Sequence, residues 1–219
     1  MIIAIDGPAG TGKSTISNLI AKSLNLFLVD TGAMYRCVAY KMLKEGILLE
    51  DKEKILKILE NINIEFKDSN NRQRVYLNGE EVTEPIRSKE VSELVSPVSA
   101  IKDVRYKLVE MQRELAKNKN VVMEGRDIGT YVFPNADIKI YLDASAEERV
   151  KRRYEENLCK GINVKYEEIM ENIVIRDKID SSKEIGALKI AEDAIVVDTT
   201  GKTLEQVQKE IEGIIKQKM

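Results

Sequence analysis

The sequence predicts an α/β fold: a five-stranded parallel sheet with helices on both faces, interrupted by a small antiparallel insertion. Three observations carry this expectation. Short apolar runs recur with the character of buried strands, stretches of helical periodicity separate them, and a phosphate-binding loop follows the first run. That first run, Ile2 to Ile5, has no polar interruption, as expected of a strand buried on both faces. Gly7, Pro8, Ala9, Gly10, Thr11, Gly12, Lys13 and Ser14 then complete the P-loop pattern, with Thr15 beside them. From Ser14 onward Ile16, Leu19, Ile20 and Leu24 fall at helical spacing, so the motif has a strand before it and a helix after it. Its glycines allow a tight turn whose N–H groups face an anion, and the helix N-terminus adds a favourable dipole. Lys13 is placed to reach the β- and γ-phosphates of a triphosphate, and the Ser14 hydroxyl to ligate Mg²⁺.

Further along, Phe27 to Asp30 reads as a second strand, and Thr31-Gly32 opens a helix with Met34, Cys37, Val38 and Met42 on one face, stopped by Gly46. Asp51 to Asn61 is a further amphipathic helix. From about Ile62 to Glu84 the βαβ rhythm breaks: Ile64 and Phe66 alternate with charge, and Asn78-Gly79 is a strong hairpin signal. Helical spacing returns at Val104, Leu108, Met111 and Leu115. Strands follow at Asn120 to Glu124, Ile138 to Leu142 and Ala194 to Asp198. Ser145 and Glu148 form a capping box before a basic helix, Tyr166 to about Ile179 is helical, and Thr203 with Gln206 caps a last helix carrying Leu204, Val207, Ile211 and Ile214.

Composition narrows the chemistry. The 219 residues suffice for one domain with a small insertion, and a net charge of −2 provides no global field for a nucleic acid polymer. No apolar run is long enough to span a membrane, and the two cysteines, Cys37 and Cys159, read as free thiols of a cytoplasmic protein. Histidine is absent, which excludes His-based triads and imidazole metal sites. Phosphoryl transfer survives that exclusion, because it depends on positioning and electrostatics. Arg36, Arg126 and Arg176 recur where a parallel sheet places ligands, and guanidinium forks suit a second phosphate.

The runs DGPAGTGKST, DTGAMYR, EGRDIGTYVFP and IRDKID, in this order, resemble the bacterial cytidylate kinase family of the nucleoside monophosphate kinase superfamily. IRSKEVSELVS and the hairpin before it separate that family from adenylate kinases. The resemblance implies a single P-loop kinase domain over residues 1–219, an inserted acceptor-side subdomain at about 58–97, and a short lid at about 149–163. It implies transfer of the γ-phosphoryl group from ATP to CMP or dCMP, with Mg²⁺, by a monomer. Catalysis would fall to Lys13, Arg126, Arg149, Arg152 and Arg153, the last three closing over ATP. Arg36, Arg126 and Arg176 would hold the acceptor phosphate, and Ser96, Arg105 and Asp127 would read the cytosine ring. Asp127 suits the N4 amino donor and Arg105 the N3 and O2 acceptors, a pattern that uracil reverses. Thr31 matches a serine near the acceptor, Asp180 an aspartate near the ribose, and Glu124 a carboxylate that meets Mg²⁺ through water. Three departures stand out: Glu124 replaces a shorter Asp, Lys183 replaces an Arg of the acceptor site, and Ile179 stands where a relative often carries a basic residue. Competing readings are a kinase of UMP, AMP or a shikimate-like acceptor, and a nucleotide switch. The chain lacks the Asn-Lys-x-Asp motif of a switch GTPase.

Overall fold

The computed structural model describes residues 1–69, 72–159 and 161–218. Residues 70 and 71 of the expected insertion and residue 160 of the expected lid lie outside the described residues. The chain divides into two compact units: residues 1–28 with 118–219, and residues 29–117. The stretch 58–97, expected as an insertion, lies within the second of these.

The main sheet contains β1 (Ile2–Asp6), β2 (Phe27–Asp30), β6 (Val121–Gly125), β7 (Ile138–Asp143) and β8 (Ile195–Asp198), in the order β2-β6-β1-β7-β8. β1 is central because it can be: Ile3, Ala4 and Ile5 are fully buried, and both of its edges pair in parallel, with β6 and with β7. Chain order reverses at β1, so the loop leaving it opens into the crevice where open α/β sheets bind ligands. Ile3, Ile5, Ile140 and Leu142 pack with Ile16 and Ile20 of α1 (Lys13–Ser23) and with Val207 and Ile211 of α8 (Leu204–Lys218).

In the second unit, α2 (Thr31–Glu45) is capped by Asp30, which accepts from the Ala33 amide at 2.9 Å, and ends at Gly46 in the left-handed region. It packs with α3 (Lys52–Glu60), α4 (Lys89–Val98) and α5 (Lys102–Ala116). The antiparallel insertion forms as read: β3 (Ile64–Ser69), β4 (Arg72–Leu77) and β5 (Glu80–Glu81). Asn78 and Gly79, both at positive φ, make the tight turn.

Several local expectations need correction. In α5 Val104 and Leu108 are fully buried as expected, but in its later turns Gln112 and Ala116 are buried while Met111 and Leu115 are half-buried, so the buried stripe drifts by one residue along the helix. In α8 Leu204 is exposed and Ile215 buried, because the first residue after the Thr203 cap stands clear of the sheet. Residues 85–98 fold as a 3₁₀ turn and α4, whose N-terminus Ser88 caps by accepting from the Val91 amide. Past α6 (Ala146–Cys159), α7 spans Tyr166–Ser182, three residues beyond the expected end at Ile179. The Ser181 and Ser182 hydroxyls occupy carbonyls of that last turn, and the Leu188 amide bonds the Asp180 carbonyl.

Candidate active site

The loop after β1 accepts only glycine where it matters. Gly7 has φ +148, and a Cβ there would lie 2.1 Å from the Leu142 carbonyl oxygen. A Cβ on Gly10 (φ +83) would lie 3.0 Å from the Arg149 Cβ, so this glycine lets α6 approach the loop. Lys13 begins α1 nearly buried and donates to the Pro8 carbonyl at 2.6 Å and to Thr11 Oγ1 at 3.3 Å. Burial, and then the positive charges of Arg126 and Arg176, hold its pKa well below the ordinary lysine value, while Glu124 and Asp6 pull the other way. Ser14 Oγ donates to Glu124 Oε2 at 3.0 Å. This juxtaposition joins the two residues expected at Mg²⁺. Hard oxygen donors on a hydroxyl and a carboxylate fit that ion.

Arg126 leaves the end of β6. Its Nε bonds Asp180 Oδ2 at 2.9 Å, and Lys183 Nζ bonds Asp180 Oδ1 at 2.7 Å. Burial alone would raise the Asp180 pKa, but Arg126 and Lys183 together hold it far below the usual carboxylate range. Burial would lower the Arg126 pKa, and Asp180, Glu124 and Asp177 outweigh it. Asp127, buried, opens a π-helical turn over Ile128–Val132. Sequence reasoning passed over Asp6, which fixes this turn by accepting from the Ile128 amide at 2.8 Å and the Gly129 amide at 2.7 Å. The available signal was a carboxylate closing an otherwise apolar strand.

The arginines expected in a lid are not alike. Arg149 is 7% exposed and donates to the carbonyls of Ala9 and Ala144, both at 3.2 Å, and to Asp177 Oδ2 at 2.6 Å. Arg152 binds Glu148 and Thr199, whose hydroxyl reaches the Thr11 carbonyl at 3.3 Å. Arg153 is exposed and pairs only locally, with Glu156. Asp177 and Thr199 are further residues that the sequence did not single out.

In the second unit, Thr31 opens α2 and is buried. Arg36 donates to the Ile86 carbonyl at 3.2 Å and to Ser92 Oγ at 2.8 Å. Arg105, 2% exposed, donates to the Ser99 carbonyl and lies over the Tyr35 ring at 5.5 Å. Ser96, also buried, presents its carbonyl to the Ser99 hydroxyl at 2.8 Å. Among the described residues no group of three His, Cys, Asp or Glu side chains could hold a metal, and no helix is long and apolar enough to cross a membrane.

The central strand, the glycine loop and the buried lysine that starts α1 define a P-loop α/β protein. The fold is shared with a gluconokinase from Sinorhizobium meliloti 1021, at a TM-score of 0.52 and 13% identity, covering 98% of this chain and 91% of that one. It is also shared with an uncharacterized protein from Eubacterium ventriosum ATCC 27560, at 0.56 and 11%, covering 99% and 98%. The particular family follows from sequence: the family model described as cytidylate kinase matches residues 3–217. A cytidylate kinase of Clostridioides difficile (strain 630) is 50% identical over 211 residues, 96% of each chain. One from Caldicellulosiruptor bescii is 52% identical over 209 residues, 95% of this chain and 92% of that one. One from Bacillus subtilis (strain 168) is 46% identical over 216 residues, 99% and 96%. The chain belongs to the cytidylate kinase family, and is a nucleoside monophosphate kinase.

Proposed function

We propose that this protein transfers the γ-phosphoryl group of ATP to CMP or dCMP, giving ADP and CDP or dCDP. The observation that carries the reading is the set of cations at the carboxyl edge of the sheet. Lys13 is buried, and burial first and then Arg126 and Arg176 disfavour its charge, with Glu124 and Asp6 offsetting part of this; further anions at the site relieve the rest. A γ-phosphate on one side and an acceptor phosphate on the other supply those anions. The loop from Gly7 to Thr15 takes the triphosphate. Arg36, Arg126, Arg176 and Lys183 take the acceptor phosphate, Thr31 lies near it, and Asp180 accepts from the ribose. Ser96, Arg105 and Asp127 read the base. Arg149, Arg152 and Arg153 would act on the transferred group once the lid, residues 149–163, closes about the anchored start of α6. Ser14 would ligate Mg²⁺ and Glu124 would reach it through water, and the ion would neutralise charge on the β- and γ-phosphates. The protein acts as a cytoplasmic monomer, in keeping with two free cysteines, of which burial pushes the Cys37 thiol up to about 12.

A coupled assay of ADP release with Mg·ATP and a panel of monophosphates tests this. CMP and dCMP should be turned over well, UMP poorly and AMP not at all. Asp127→Ala should narrow the CMP-over-UMP preference by about 1–3 kcal/mol. Equal use of CMP and UMP by the unaltered protein would refute the base-reading roles.

A further inference from the structure

Helix α7 carries two carboxylates three residues apart on one face, and each holds a different arginine. Asp180 holds Arg126 at the end of β6. Asp177 holds Arg149 at 2.6 Å, and the same Nη1 of Arg149 donates to the Ala9 carbonyl of the phosphate-binding loop. The second anchor of Arg149, its Nε on the Ala144 carbonyl, and the close approach at Gly10 leave its backbone little freedom. Of the three acceptors on the guanidinium, the Ala144 and Ala9 carbonyls at 3.2 Å are neutral, and Asp177 at 2.6 Å is the charged and shortest one, holding the Nη1 end. That carboxylate spends Oδ2 on Arg149, while Oδ1 is buried without a hydrogen-bond partner.

We infer that Asp177 is a positioning residue: it aims the Arg149 guanidinium at the phosphate-binding loop and ties the donor side of the site to helix α7. The inference rests on the reading of ATP as donor and deepens it. Its consequence is asymmetric. Loss of Asp177 should disturb use of ATP, because Arg149 would pivot away from the loop. It should leave the acceptor KM nearly unchanged, because Asp180 keeps its own hold on Arg126.

The experiment is a double-mutant cycle of Asp177→Asn and Arg149→Met, with steady-state kinetics varying ATP and CMP separately and a thermal melt of each variant. Asp177→Asn should lower kcat/KM for ATP by about tenfold or more, the equivalent of one hydrogen bond to a charged group. KM for CMP should stay within about twofold, and the double variant should be no worse than Arg149→Met alone. Asp177→Glu keeps the charge but misplaces it by a methylene. It should give a smaller loss with the same asymmetry, and serves as the deciding variant where Asp177→Asn fails to melt cooperatively. Losses that multiply in the double variant, a KM for CMP that rises as much as that for ATP, or an unaffected Asp177→Asn would overturn the role. An unaltered protein that fails to phosphorylate CMP from ATP would instead refute the reaction itself.

Discussion

Lys13 occupies a place that disfavours its own charge, and this separates its cost from its use. A lysine whose folded pKa lies below the unfolded value binds fewer protons when folded, so at neutral pH it costs stability. Lys13→Ala should therefore abolish turnover without lowering the melting temperature of the ligand-free protein, read by kinetics and scanning fluorimetry on one preparation. A fall of several degrees would mean that its bonds to Pro8 and Thr11 outweigh its desolvation. Asp180 has the opposite sign. Its folded pKa is depressed, so its contribution is present above the unfolded value near 3.8 and is lost as pH falls through the folded one. Removing it leaves Arg126 and Lys183 without their shared anion, at a cost of about 3–5 kcal/mol at neutral pH for Asp180→Ala. The gap to the unaltered protein should close as denaturation is followed below about pH 4; a gap independent of pH would show that packing, and not charge, is lost.

At the scale of elements, α6 is divided by its own arginines. Its first turn is fixed by the Ser145 cap, by Arg149 on the loop and by Arg152 on Thr199. Arg153 pairs with Glu156 three residues on, and Val150 is the last fully buried apolar residue of the helix. Closure over nucleotide is therefore expected to involve the helix beyond Arg152 and to pivot about its anchored start. Hydrogen exchange should slow on adding an unreactive ATP analogue with CMP across residues 153–159. Amides of the anchored turn should be protected before and after. Equal exchange throughout α6 in both states would remove the lid role from this helix. The cap of α8 is a contrasting case: Thr203 and Gln206 bond reciprocally, at 2.8 and 3.3 Å, and this element needs no ligand to stay ordered.

At the scale of the whole molecule, each of the two compact units carries residues that the proposed reaction assigns, Arg36 and Arg105 in residues 29–117 and Lys13, Arg126 and Arg149 in residues 1–28 with 118–219. A ligand that engages residues of the folded state alone stabilises all of it by mass action, by about 2.7 kcal/mol at a hundred times its dissociation constant. CMP should raise the melting temperature more than UMP at equal concentration, and Asp127→Ala should shrink that difference. Identical shifts from both nucleotides in the unaltered protein would place base selection in the catalytic step and not in binding.

What sequence alone determined lies within about a turn of backbone. The apolar run of β1, the glycines and Lys13 that follow it, the Asn78-Gly79 turn and the Thr203 cap are local, so residue type and spacing suffice to read them. The family resemblance added positions for the acceptor residues but not their partners. Tertiary structure decided those. Arg126 and Asp180 are 54 positions apart, Arg149 and Asp177 28 apart, and Asp6 and Ile128 122 apart. No periodicity encodes such pairs. The end of the buried stripe in α5 and in α8 was decided in the same way: helical spacing defines an apolar stripe about 100° wide, but the neighbouring elements choose which edge of it is buried at Gln112, Ala116 and Ile215. Charge followed the same rule, because a lysine or aspartate takes its pKa from burial and from neighbours that only the fold supplies.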